Sequence, residues 1–136
     1  KIFDNNKKLN KNIPGTKLKL SNELLKVHRS YLNIIQSSLS KFKINSISHI
    51  TGGGIIGNTK RVVPDDREII INWEAWKRPE IFEMIKSAGG VPESDMRKTF
   101  NLGIGLIFII NKNKAFEFAK FLKSKKEIPL ILGYIN

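Results

Sequence analysis

Two short stretches of this chain combine residue types that could handle a proton and an anion. The first is His49-Ile50-Thr51-Gly52-Gly53-Gly54, followed by Asn58 and Arg61. Histidine, with an ordinary pKa of about 6.5, gains and loses a proton near neutral pH. Three successive glycines let a backbone approach a ligand and turn its N–H groups toward an anion. A helical turn starting near Ile55 would add a favourable dipole for phosphate. Arg61 offers a planar fork for charge-assisted, bidentate contact with phosphate. The pattern is not a standard nucleotide loop. Gly52 and Gly57 have Walker A spacing, but Asn58-Thr59 stands where that loop needs Lys and Ser/Thr, and the dinucleotide glycine spacing is missing. Taken singly, the glycines also read as a tight connection between strands, and His49 as a satisfied buried histidine.

The second stretch is Thr99-Phe100-Asn101-Leu102-Gly103-Ile104-Gly105. Glycine inside a strand is destabilising by roughly 0.5–1 kcal/mol relative to Ala, so Gly103 and Gly105 call for a reason. Close approach of a backbone or ligand is one, a bulge another. Thr99 and Asn101 bring a hydroxyl and a carboxamide to the mouth of that strand, where they could orient a polar substrate. Other candidates carry less. His28 falls mid-helix as a packing or exposed residue. Asp65-Asp66 reads as a turn without a third oxygen ligand nearby. Trp73 and Trp76 read as core or interface. No Ser/His/Asp order, paired glutamates or histidine cluster marks an independent hydrolase or metal centre.

The elements that must position these residues follow from periodicity and punctuation. Ile13-Pro14-Gly15-Thr16 signals a turn within an Asn- and Lys-rich connector, residues 1–20. Ser21 is a candidate N-cap for a helix over about 22–41, with Leu24, His28, Tyr31, Ile35, Leu39 and Phe42 on its inner face. Ile44 to Ile50 reads as a strand, and Arg61 to Pro64 and Glu68 to Trp73 as two more around an Asp65-Asp66 turn. Pro79 opens a helix that Gly89-Gly90 ends. A shorter helix covers about 93–98. Leu102 to Ile110 reads as a strand buried on both faces, followed by a helix around Ala115 to Leu122 and a strand at Pro129 to Ile135. The pattern predicts an α+β or α/β sandwich.

Composition bounds the function. At 136 residues the chain is one domain, or one domain with a tail. With no cysteine it has no disulfide, thiolate metal site or thiol nucleophile. Its longest apolar stretch, Leu102 to Ile110, is too short to span a bilayer. The net charge of +12 suggests nucleic acid, yet Lys, Asn and Ile together make 53 of the 136 residues, so compositional bias inflates the lysines. The excess is also uneven: residues 1–30 carry +6, 31–60 +3, 61–100 −1 and 101–136 +4.

The two stretches, in this order and with Arg61-Val62-Val63-Pro64, Trp76, Pro79, Phe82 and Met96 between them, resemble the aminoimidazole ribonucleotide synthetase family. The likeness covers residues 21–136 and only the family's C-terminal half. Lys1-Ile2-Phe3 resembles the tail of a preceding N-terminal domain. The sequence departs from the family at Val27-His28, where Pro-Thr is usual, at Ser30, and at Gly57, where an acidic residue is usual.

The resemblance implies an α+β fold, an α/β sandwich whose mixed sheet carries packed helices and is partly ferredoxin-like. It implies an ATP-dependent cyclo-ligase converting formylglycinamidine ribonucleotide to aminoimidazole ribonucleotide, ADP and phosphate. ATP and Mg2+ would be held mostly by the N-terminal domain, and the whole enzyme would be a cytoplasmic homodimer without membrane contact. On this reading His49 handles the proton or transition-state charge. Thr51, Gly52, Gly53, Gly54, Asn58 and Arg61 hold phosphate, Thr99 and Asn101 orient substrate, and Gly103 and Gly105 allow close packing. The chain alone would lack turnover. Two alternatives remain: another ATP-using member of the superfamily, of formylglycinamidine ribonucleotide synthase or selenophosphate synthetase type, and a basic nucleic-acid-binding module.

Overall fold

The computed structural model describes residues 9–136. Two antiparallel ribbons organise them. β1 (Ile44–His49) pairs with β3 (Leu106–Ile110), with Ile44 opposite Ile110 at one end and His49 opposite Leu106 at the other. β2 (Ile69–Ile71) pairs with β4 (Gly133–Ile135). The chain is therefore α+β. The sheet expected to be mixed is instead two separate antiparallel pairs among the described residues.

β3 explains how the layers meet. Its alternating side chains face opposite ways, and each face has its own cover. Leu106, Phe108 and Ile110 pack with Ile44 against α2 (Leu32–Leu39) and α6 (Ala115–Ser124), around buried Ile34, Phe118 and Leu122. Ile107 joins a second cluster built on Ile50, Ile55 and Ile104, walled by Trp73, Trp76, Ile71 of the second ribbon and Leu132 just before β4. The apolar run was legible as a strand covered on both sides, although its residues are half-buried.

The helix expected over 22–41 is broken. α1 (Leu20–Leu24) and α2 are separated by an irregular segment through Tyr31, and the N-cap is Lys19 with Ser21 inside the first turn. The inward face of α2 is Ile34 and Ser38, while Leu39 is exposed, one residue out of phase with the expected stripe. The break has a tertiary cause: side chains from residues 28–31 reach three different parts of the fold, which overrides helix propensity. Within the expected connector, residues before Leu9 lie outside the described segment; after them Asn12 bridges Lys19, and Ile13 and Leu20 are buried.

Three further boundaries differ. Lys60–Val62 is a 3-10 turn rather than a strand. Residues 129–132 are irregular and only Gly133–Ile135 pairs. The chain reverses at Asn101–Ile104 before β3 begins. There Ile104 N–H donates to the Asn101 carbonyl at 2.9 Å, and Leu102 and Gly103 both have positive φ (52° and 97°). A leucine in that region is uncommon. Leu102 is held there by complete burial and by Trp76, whose indole Nε1–H donates to its carbonyl at 2.9 Å. The expected helices at Pro79 and 93–98 appear as α4 (Glu80–Gly89), closed by left-handed Gly90, and α5 (Glu93–Thr99).

Glu93, at the start of α5, ties these two helices together. Arg78 grips its carboxylate with both guanidinium nitrogens, Lys86 donates at 2.9 Å, and Arg97 donates at 2.7 Å. The Arg78 guanidinium first, and then the Lys86 and Arg97 hydrogen bonds, hold this carboxyl well below the usual carboxylate range. The sign follows from linkage: the stabilisation is present above the ordinary carboxylate pKa and is lost as pH falls through the lowered value.

Candidate functional site

His49 and the Thr51–Gly54 loop lie at one end of the β1–β3 ribbon, whereas Arg61 belongs to the 3-10 turn Lys60–Val62, whose Val62 carbonyl accepts from Ser46 Oγ partway along β1. His49 is the last residue of β1 and is exposed. It is therefore not a satisfied core histidine. The next residue, Ile50, is buried, and its N–H donates to the Gly105 carbonyl at 2.9 Å. That bond joins the two sequence stretches, which are distant in the chain and adjacent in space.

The loop after Ile50 exposes Thr51, Gly52 and Gly53, then dives inward at Gly54 to start α3 (Gly54–Thr59). Gly54 has φ +68°, and a Cβ there would run into the Arg97 carbonyl oxygen. Glycine is thus required for α3 to lie on α5, which carries Thr99 at its end. With six residues, α3 is too short to lend much dipole, so the exposed backbone of Thr51–Gly53 is the part of this loop free to meet an anion.

Asn58 is buried, and its Nδ2–H2 faces the carbonyls of Gly54 at 2.7 Å, Gly52 at 3.2 Å and Thr51 at 3.4 Å. Its carboxamide shapes the loop from within. Arg61 is exposed on the 3-10 turn that follows. Thr99 is exposed at the end of α5. Asn101 is half-buried, and its Oδ1 accepts from Gly103 N–H at 3.0 Å, closing the turn.

The space beside the second pair of glycines is filled by protein. A Cβ on Gly103 would press on the Pro79 ring, and one on Gly105 would overlap the Tyr31 hydroxyl. The groups that crowd these two glycines are side chains, where a backbone or a ligand was expected.

Two residues here were not singled out as site residues from the sequence. His28 does not lie within a helix; its Nε2 is 3.2 Å from Nε2 of His49. The Tyr31 ring stands edge-on to both imidazoles, 5.8 Å from each centroid. The available signal was two polar rings three residues apart on an otherwise apolar stripe, which suits a helix less well than a loop held by contacts. Trp73 and Trp76, read as core or interface, do wall the second core cluster.

A cavity of about 450 Å³ lies elsewhere, between Trp73, Trp76, Arg78, Glu83, Glu93 and Arg97. Its acids and bases satisfy one another, and Arg97 covers the Trp73 ring at 4.3 Å. Trp73 and Trp76 line it, but none of the residues read from the sequence as catalytic or phosphate- or substrate-binding does.

Comparison with known proteins shows the family. Residues 2–135 match the model of a family described as AIR synthase related protein, C-terminal domain. This chain belongs to that family. It is 40% identical over 119 residues to a phosphoribosylformylglycinamidine cyclo-ligase of Carboxydothermus hydrogenoformans, covering 86% of this chain and 34% of that protein. Similar matches are to proteins of the same name from Syntrophotalea carbinolica (37% over 118 residues, 87% and 34%) and Prochlorococcus marinus (41% over 114 residues, 82% and 33%). The chain spans about a third of the length of these relatives. Among the described residues no helix is long and apolar enough to cross a membrane.

Proposed function

We propose that this chain is the substrate-facing C-terminal domain of an ATP-dependent cyclo-ligase that closes formylglycinamidine ribonucleotide to aminoimidazole ribonucleotide, releasing ADP and phosphate. The observation that supports this reading is the Ile50 to Gly105 hydrogen bond, which joins the stretch carrying His49 and Thr51–Gly53 to the one carrying the Asn101 turn. Family membership and the names of the relatives supply the reaction.

In that reaction ATP phosphorylates the formyl oxygen, making it a leaving group, and the amidine nitrogen attacks the same carbon. The chain's own residues would bind, orient and move a proton. The exposed backbone of Thr51, Gly52 and Gly53 and the guanidinium of Arg61 hold a phosphate of substrate or nucleotide. Asn58 acts from behind by fixing the loop. Thr99 bounds the face near the Asn101 turn, whose shape depends on Gly103 and Gly105. His49, exposed at the strand end, accepts a proton as the ring forms.

Mg2+ needs hard oxygen ligands. The face offers imidazole nitrogens and backbone, and among the described residues no group of three or more His, Cys, Asp or Glu is placed to hold a metal. The residues present therefore do not form a Mg2+ site. ATP, Mg2+ and the closing wall of the cleft belong to the remainder of the protein on this reading, as do a homodimeric state and a cytoplasmic setting. A partly ferredoxin-like completion of the two ribbons belongs to the same reading.

The test is ADP release by the full-length protein. It should require formylglycinamidine ribonucleotide and ATP together, and residues 1–136 alone should release none. Release driven equally well by another phosphoryl acceptor would move the protein to a different branch of its superfamily.

A further inference from the structure

We propose that His28 is a positioning residue for His49, the two imidazoles forming one hydrogen-bonded pair in which His49 donates from Nε2 and keeps Nδ1 open toward the substrate. The proposal rests on the reading of His49 as a proton acceptor.

The geometry demands a division of roles between the rings. Each neutral imidazole has one N–H and one lone pair. The contact is Nε2 to Nε2 at 3.2 Å, with ring centroids 5.3 Å apart and planes tilted by 49°. One ring must donate there and the other accept, so the neutral pair holds opposite tautomers. If His49 accepted at Nε2, its proton would sit on Nδ1 and no lone pair would remain to take a proton from substrate. If His49 donates, His28 is the Nδ1–H tautomer and His49 Nδ1 is free. After His49 Nδ1 takes the substrate proton, the imidazolium charge is shared across the same contact. This is the arrangement in which a base is oriented by a third group.

His28 is held for this role. It belongs to the segment that interrupts the expected helix, and its neighbours pin that segment. Arg29 pairs with Glu127 beyond the end of α6, and the Tyr31 hydroxyl fills the space over Gly105. The titratable and charged groups around the pair are Tyr31, edge-on to both rings, and Arg29, whose guanidinium lies 5.6 Å from the Tyr31 centroid and is already engaged by Glu127. The facing residues at the start of β3 are Leu106 and, just before the strand, Gly105, which carry no charge. No ion pair among the described residues reaches either imidazole. Each ring is therefore the other's only ring-nitrogen partner among the described side chains.

The test is long-range 1H–15N correlation of the histidine rings in the full-length protein, at a pH where both are neutral, with signals assigned from H28Q and H49Q. Expected are an Nδ1–H tautomer for His28 and an Nε2–H tautomer for His49. Identical tautomers in both rings, or a His49 spectrum unchanged in His28→Leu, would overturn the pairing. The reverse assignment, with His28 donating, would overturn the proposed direction. Kinetics supply the second readout. His28→Leu should lower kcat by about 10- to 100-fold with little change in KM, and His28→Gln, whose carbonyl can accept from His49 Nε2–H, should recover part of the loss. Equal kcat in the wild type and H28L would also overturn the proposal. If the wild-type protein shows no cyclo-ligase turnover, the reaction reading fails while the ring spectrum still decides the pairing.

Discussion

His49→Ala in the full-length protein is expected to lower kcat by about 10²- to 10⁴-fold, the range spanned by loss of a positioned proton-transfer group. The same substitution should change stability by no more than about 0.5 kcal/mol. The two expectations separate because of where His49 lies. It ends a strand, it is exposed, and it belongs to neither core cluster. Its backbone keeps its pairing with Leu106 whatever the side chain. A fall in kcat with an unchanged denaturation midpoint is the expected pattern in turnover and urea titrations run on one preparation. Near-normal turnover would remove His49 from the mechanism and leave the glycine loop as the site's only claim to function.

Gly54→Ala is expected to destabilise the fold by about 2–5 kcal/mol. Two costs combine. A left-handed residue with a Cβ is disfavoured by roughly 1–2 kcal/mol, and Gly54 has φ +68°. The new methyl would also meet the Arg97 carbonyl oxygen, a backbone atom that cannot swing aside; overpacking of that kind costs about 1–3 kcal/mol. Relief requires α3 and α5 to separate, which would open the core beneath Ile55 and Met96, both fully buried. Gly57→Ala is the control. It lies in the same helix with an ordinary φ and nothing within 4 Å of its would-be Cβ, so alanine there should stabilise by about 0.5–1 kcal/mol. Urea denaturation of the pair should therefore shift in opposite directions. A Gly54→Ala protein as stable as wild type would mean that α3 does not rest on α5 as described.

The helix at Pro79, its glycine stop and the existence of the apolar strand were legible from sequence because they depend on local chemistry, although the strand begins at Leu106 rather than Leu102. The candidate residues could be named from sequence, and His49, Thr51 to Gly54 and Thr99 to Gly105 lie at one end of β1–β3 or on its flank. What periodicity could not show was which of them turn inward. Asn58 and Asn101 look like ligand contacts in one dimension, yet both carboxamides serve their own loops.

The segment after Leu24 failed for a different reason. Spacing of three and four made Leu24, His28, Tyr31 and Ile35 look like one helical stripe, but the conformation is set by partners 21 to nearly 100 residues away. His49, Gly105 and Glu127 hold His28, Tyr31 and Arg29. No local window contains them. The charge resolves similarly: within 61–100, where the sum is near zero, Arg78, Lys86 and Arg97 converge on Glu93. Arg61 is the exposed cation that follows the glycine loop.

The most direct measurement of the central claim, that the two sequence stretches form one substrate-facing surface, is a map of where formylglycinamidine ribonucleotide binds. Backbone amide shifts of the full-length protein titrated with that compound should concentrate at residues 49–54 and 99–105, with the His49 ring responding. Shifts confined instead to the ion-paired cavity around Arg78 and Glu93, with residues 49–54 silent, would contradict it.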